Sequence, residues 1–412
     1  MDGEGCVFGP DPPDDPPDYN AVAVTIAAPV PVFALNIHAG FACRHSGACC
    51  TAGWPIPVEA RVHARILADP GLSGDSFHTA GQMPDGAVAV LAPLTSGACP
   101  FFEPAAGNRC AVQRRLGHEG LPAACRHFPR ATLLEPDGVR VTLSHFCPTA
   151  ASMLFRQDVG RLEIVTDAAG IADRREHEGF DARHTIPPFL RPGVATDERT
   201  RHVWERFLIS ALDTDGLTPE DALADVSRVA DLIRAWTAGA AGLSDHTERI
   251  VDLGVDPART GRWTMSGTAA ARLFGMAAAS VPDGLVRPRA PEALDKADRL
   301  WVAPVWASLA RPLRRYLTAR AFAAWCAYLG EGLRTQVAMV GVALAVVRIE
   351  AARHAGAAAR LLDESLLHAA IRSADHLLQH LADQKILVDS LASVERASAH
   401  GFLDAIGLQE VA

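Results

Sequence analysis

Residues 41–54 read FACRHSGACCTAGW and place Cys43, Cys49 and Cys50 within eight positions, the last two adjacent. Neither helical nor strand patterning explains thiols set among Gly, Ala and Ser, so the stretch reads as an irregular, ligand-bearing segment. Three further segments continue the series: CPFFEPAAGNRCAVQ (99–113), LPAACRHFPR (121–130) and LSHFCPTAASMLF (143–155). Cys43, Cys49, Cys50, Cys99, Cys110, Cys125 and Cys147 are thus separated by 5, 0, 48, 10, 14 and 21 residues. Of the two remaining cysteines, Cys6 lies in a polar tail and Cys326, in FAAWCAYL, fits core packing.

Each segment has a local logic. Residues 99–113 read as a hairpin whose Gly107-Asn108 loop would bring Cys99 and Cys110 together at its outer ends. Cys147 precedes Pro148 and so reads as a helix N-cap, where the helix terminus would lower its thiol pKa. Around Cys125, Arg109, Arg114, Arg115, Arg126 and Arg130 face the single acid Glu119, which suits a site carrying negative charge. In an extended chain Cys49 and Cys50 would point to opposite faces, so a Gly-rich turn is needed for them to act together. A single structural zinc takes four ligands, usually from C-x2–4-C knuckles, and the chain has none. An iron–sulfur cluster on four cysteines, with the others as neighbours or ligands of a second metal, fits better; zinc is the alternative. Trp54 either stacks on a cofactor or seals a small core.

The chain has 412 residues, 49% hydrophobic and 21% charged, with 37 Arg against two Lys and a net charge of −9. It lacks the strongly basic domain of a nucleic-acid binder. The apolar run VAMVGVALAVV (337–347) is shorter than the roughly 20 residues that span a bilayer, so it reads as a core helix and no membrane partner is expected. No signal peptide is visible, which points to the cytoplasm, where clustered thiols suggest metal or redox chemistry before disulfides.

The expected fold is mainly α: a small irregular cysteine-rich metal-binding module with a short hairpin, followed by an all-α helical domain. Residues 1–36 read as a disordered acidic, Pro-rich tail, 37–158 as the cysteine module, 159–196 as a linker or excursion, and 197–412 as the helical domain. Thr218-Pro219 opens a helix there, and others are expected near 199–212, 297–329, 332–354 and 363–399, with no β pattern. His368, His376 and His380 share helical spacing, and with Asp375 and Gln379 they read as a solvated face.

In order, FACRHSGACCTAGWPI, CPFFEPAAGNRCAV, LPAACRHFPR and LSHFCPTAA resemble the YkgJ-type cysteine-cluster family, described as zinc- or iron-chelating. CCTAGWPI, LGHEGLPAACRHFPR and the long helical C-terminal half are more narrowly similar to its flagellin lysine-N-methylase (FliB-like) branch. The resemblance covers residues 41–155 well and 197–412 weakly. It implies a metal or 4Fe–4S centre held by the seven cysteines, Arg126 and Arg130 beside an anionic group, and methyl transfer from S-adenosylmethionine to protein lysine. Ser46 stands where many relatives carry a further cysteine, which bears on the cluster's nuclearity; His45 could replace it as a ligand. No Gly-rich dinucleotide fingerprint and no C-x3-C-x2-C triplet occurs. Two other readings stand beside the methylase: a cluster-dependent redox enzyme acting on a small molecule, and a zinc- or iron-binding scaffold. The partner is accordingly a protein, peptide or small-molecule substrate.

Overall fold

The computed structural model describes residues 22–25, 30–78, 86–172, 176–239, 241–254, 262–291, 294–330, 332–397 and 402–411. Cys6 and the extreme N-terminal tail lie outside the described residues. The architecture is mainly α, as expected, but the N-terminal half carries more sheet than the sequence suggests.

A six-stranded mixed sheet runs in the order Val22–Thr25, Glu176–Asp181, Arg130–Glu135, Gly138–Leu143, Val32–Leu35, Ile164–Thr166. Its centre is the hairpin pairing Arg130 with Leu143 through Glu135 with Gly138. Two corrections follow. Residues 22–25 and 32–35 of the expected tail are strands, and the expected linker 159–196 supplies two more to this sheet and a separate pair, Phe189–Arg191 with Val194–Ala195. The module is therefore not merely irregular. The strand Gly138–Leu143 is buried at every position, so no in–out alternation marks it. Arg140 in its middle is 4% exposed and neutralised by Glu135, Asp137 and Glu205.

A second, three-stranded sheet joins Ile56–Glu59, Ala87–Leu91 and Phe77–His78. It packs with Phe101, Val112 and Leu121 into a small satellite core, against which Cys99, Cys110 and Cys125 rest.

The C-terminal half wraps helices around the apolar Leu333–Ala358, which contacts Pro219–Arg234, Gly267–Ala279, Ala310–Ala321 and Glu364–Asp375. By length and composition this helix could cross a membrane, yet 89% of its most apolar window is buried inside the fold. Thr218 caps Pro219–Arg234 by accepting from the Asp221 amide, as its sequence announces. The expectation of an all-α C-terminal domain needs one amendment, because Arg262–Met265 pairs antiparallel with Leu408–Val411. Helices Glu198–Leu212 and Ala310–Ala321 lie against the six-stranded sheet through Ile209, Ala319 and Phe322. That contact sets the two halves of the molecule against each other.

Candidate metal centre

The loop before the first buried turn makes the cysteine doublet work. His45 and Gly47 both take positive φ, 52° and 76°, and Ala48–Cys50 closes a 3-10 turn. This turn replaces the extended geometry in which neighbouring side chains diverge, and it leaves the Cys49 and Cys50 Sγ atoms 3.9 Å apart. Gly47 is required twice over. Besides its left-handed backbone, a Cβ there would sit 2.8 Å from the Phe102 ring and 3.2 Å from Asn108 Cβ.

Phe102 belongs to the expected hairpin, in which Phe102–Glu103 pairs with Arg109–Cys110 around Gly107 and Asn108, both at positive φ. The Cys99 amide donates to the Cys50 carbonyl, fixing the doublet to the hairpin's entry. Cys110 then caps the helix Ala111–Leu116. Cys125 rides on the short helix Ala123–His127, whose first amide donates to Glu59 Oε1 at 2.8 Å. Cys147 is the N-cap of Pro148–Met153, as its context indicates.

All seven cysteines line one cavity of about 460 Å³. Ser46, His45, His118, Arg44, Arg126 and Arg130 share the lining, and among the described residues no Asp or Glu does. None of the described cysteines is in a disulfide. Cys50 shares hydrogen bonds with Cys110, Cys49 and Cys99; its own pKa is pushed far up while these three are lowered, Cys110 to about 7. Gln113 and Val112 amides at the helix start add to the effect on Cys110. Cys147 departs from expectation. Burial outweighs its helix-terminal amides and raises its thiol pKa.

The arginines sort themselves. Arg114 pairs with Glu103 and Arg115 with Asp69, both outside the cavity. Arg126 reaches the cavity while donating to the Leu121 carbonyl, and Arg130 does so while donating to Gly170 and lying over the Phe41 ring. Trp54 does not line the thiol cavity. It stacks on His380 at 4.2 Å and faces a neighbouring cavity between the two halves of the molecule.

The expected solvated face around Asp375 is overturned. Asp375 is fully buried, taking the Ser144 hydroxyl at 3.0 Å and the His145 amide, with Tyr316 at 3.3 Å and Arg320 at 3.4 Å. Because the Ser144 proton goes to Asp375, His380 Nε2 donates to Ser144 Oγ at 2.7 Å. Spacing carried the signal, since Leu367, Ile371, Asp375 and Leu378 form one helical stripe and its other members are core. His376 likewise turns inward, donating to the Ala52 carbonyl and stacking on Phe146. Cys326 is buried in the helical core with its thiol pushed up to about 12, as core packing implies.

Thiols alone, without carboxylates, are a donor set for soft metals and exclude a calcium or magnesium site. Among the described residues, the one trio of ligand atoms within 4.8 Å of one another is Asp137, Glu198 and His202, away from the thiols. Asp137 there is already neutralised by Arg140 and Arg201.

No family model matches the chain, and no solved structure matches it. It is similar to the flagellar biosynthetic protein FliU of Salmonella muenchen, 25% identical over 154 residues, which are 35% of this chain and 82% of that protein.

Proposed function

We propose that the chain is an iron–sulfur protein that transfers a methyl group from S-adenosylmethionine to an amine of a protein, peptide or small molecule. One observation carries the metal half of this reading: seven thiols from four sequence segments converge on one cavity with arginines and no carboxylate. A thiolate-ligated cluster is anionic, and Arg44, Arg126 and Arg130 supply the matching charge. Cys49, Cys50, Cys99 and Cys110, joined by shared hydrogen bonds, are the first four ligands proposed; Cys43, Cys125 and Cys147 remain for a second metal or for the substrate side. The methyl-transfer half is supported by the sequence resemblance to lysine methylases; FliU's name adds a flagellar setting only for FliU.

When bound, such a cluster supplies electrons or a Lewis-acidic iron. The chain's own residues do the rest. Arg126 and Arg130, in the cavity wall, would bind an anionic group such as a carboxylate of the methyl donor, and Phe41, Phe101 and Phe128 would restrict water around the thiols. Anaerobic purification with iron, zinc and sulfide analysis and an absorption spectrum tests the first half. Brown protein with near-equal iron and sulfide is expected, and colourless zinc protein overturns it. Mass analysis of amine substrates after incubation with S-adenosylmethionine and reductant tests the second.

A further inference from the structure

A second cavity of about 450 Å³ opens between the cysteine-bearing half and the helices, sharing Phe128, Pro129 and Arg130 with the thiol cavity. Its volume lies within the range typical of small-molecule sites, and domain interfaces are where such sites concentrate. Two local departures from regular backbone converge on its wall. Helix Ala310–Ala321 ends in a segment with Ala323 at φ 55°, a left-handed conformation that costs a non-glycine residue free energy. From the facing side, helix Glu364–Asp375 continues as a π turn, His376–Leu381, which brings Gln379 and His380 to the cavity. π turns inside helices recur at functional sites.

Aromatic walls and two arginines, Arg320 and the shared Arg130, define what it takes. Trp54, Phe128, Phe322 and Trp325 line it, with Ser144 and Arg320 as polar groups. The Arg320 side chain is 10% exposed; Nη1 reaches Asp375 at 3.4 Å, and the buried Nε has no acceptor. The Nε edge of a guanidinium is the edge that takes a carboxylate with two parallel hydrogen bonds. Asp375 Oδ1 meets only Nη1, on the other side of the guanidinium, and leaves Nε without an acceptor. The acid in the lining, Asp383, is occupied by the Ile386 amide at the start of the last long helix.

We infer that this interface cavity binds a small organic acid, with its carboxylate on Arg320 and its aromatic or aliphatic body between Trp325, Phe322 and Phe128. Its use as the methyl-acceptor site, by an acid that also carries an amine, rests on the methyl-transfer reading; its occupancy does not. The test is isothermal titration of the purified full-length protein, metal content recorded, with indole-3-acetate, octanoate and their uncharged amides. At least one acid binds tenfold or more tighter than its amide. Arg320→Gln removes that discrimination, and Ala324→Phe, which fills the cavity, removes binding of both. Equal binding of acids and amides, binding of neither acid, or discrimination retained in folded Arg320→Gln protein overturns the inference. Should Arg320→Gln fail to fold by circular dichroism, the wild-type acid-to-amide ratio and Ala324→Phe decide. Acid binding by protein that transfers no methyl group supports the cavity and counts against the proposed function alone.

Discussion

The Cys99 amide donates to the Cys50 carbonyl at 2.7 Å, joining two thiol-bearing segments that 48 residues separate in sequence. The bond makes the doublet turn and the hairpin one unit, so geometry at either end is felt at the thiols.

Gly47→Ala tests that unit. The new methyl must push on the Phe102 ring while Ala adopts a left-handed backbone, a cost of about 1–3 kcal/mol. On the proposed iron–sulfur reading, iron content per chain falls and the melting temperature drops, while far-ultraviolet dichroism, dominated by the distant helices, changes little. Unchanged iron content in Gly47→Ala would show that the turn does not position ligands.

Serine substitutions divide the cysteines. If the proposed four are ligands, Cys49, Cys50, Cys99 and Cys110 variants each lose metal affinity by more than the roughly 10–100-fold that changes behind the ligands cost. Cys326→Ser retains full metal and loses stability, because a hydroxyl takes the place of a buried thiol in an apolar core. Metal analysis alongside urea denaturation separates the two outcomes.

Asp375→Ala leaves Arg320 buried without its carboxylate and the His145 amide without its acceptor. A loss of about 3–5 kcal/mol is expected from removing one member of a buried charge pair. Asp375→Asn keeps an acceptor oxygen and costs less. Urea denaturation of both variants reads the difference, and equal losses would mean that shape rather than charge decides.

Burial gives the molecule an acid-sensitive core. His380 is held down to about 3, chiefly by burial and despite the facing Asp375, with His376 and Arg320 adding to the depression. His38 is lowered well below its ordinary value by burial and by His145 beside it. Both are neutral in the fold, whereas in the unfolded chain they take protons below about pH 6.5. The unfolded state therefore binds more protons as pH drops, and stability falls from about 6.5 down toward the folded values. The slope is up to about 1.4 kcal/mol per pH unit for each histidine. Denaturation midpoints at pH 7.5 and 5 check the direction, and His38→Gln and His380→Gln each flatten the curve.

Much of the site was legible because thiols among Gly and Pro have no place in regular packing. The hairpin, the N-cap at Cys147 and the helix opened by Thr218-Pro219 all declare themselves through local residues. The six-stranded sheet does not. Its central strand is buried throughout and carries Arg140, so the polarity pattern that marks a half-exposed strand is missing. Asp375 was hidden for a related reason: its partners Ser144 and Arg320 come from remote segments, and only its position on an apolar stripe betrays it. The Cys147 pKa went the other way from its sequence context because helix termini are visible in sequence and depth of burial is not.

Phe128, Pro129 and Arg130 form a partition with a chamber on each side, and the run Ser144–Cys147 touches both chambers within four residues. Thermodynamic linkage then works in both directions across it. Whatever factor an occupant of one chamber imposes on affinity in the other is returned in equal measure. If the proposed metal and acid both bind, a chelator series read by acid binding and an acid series read by metal retention must give the same number.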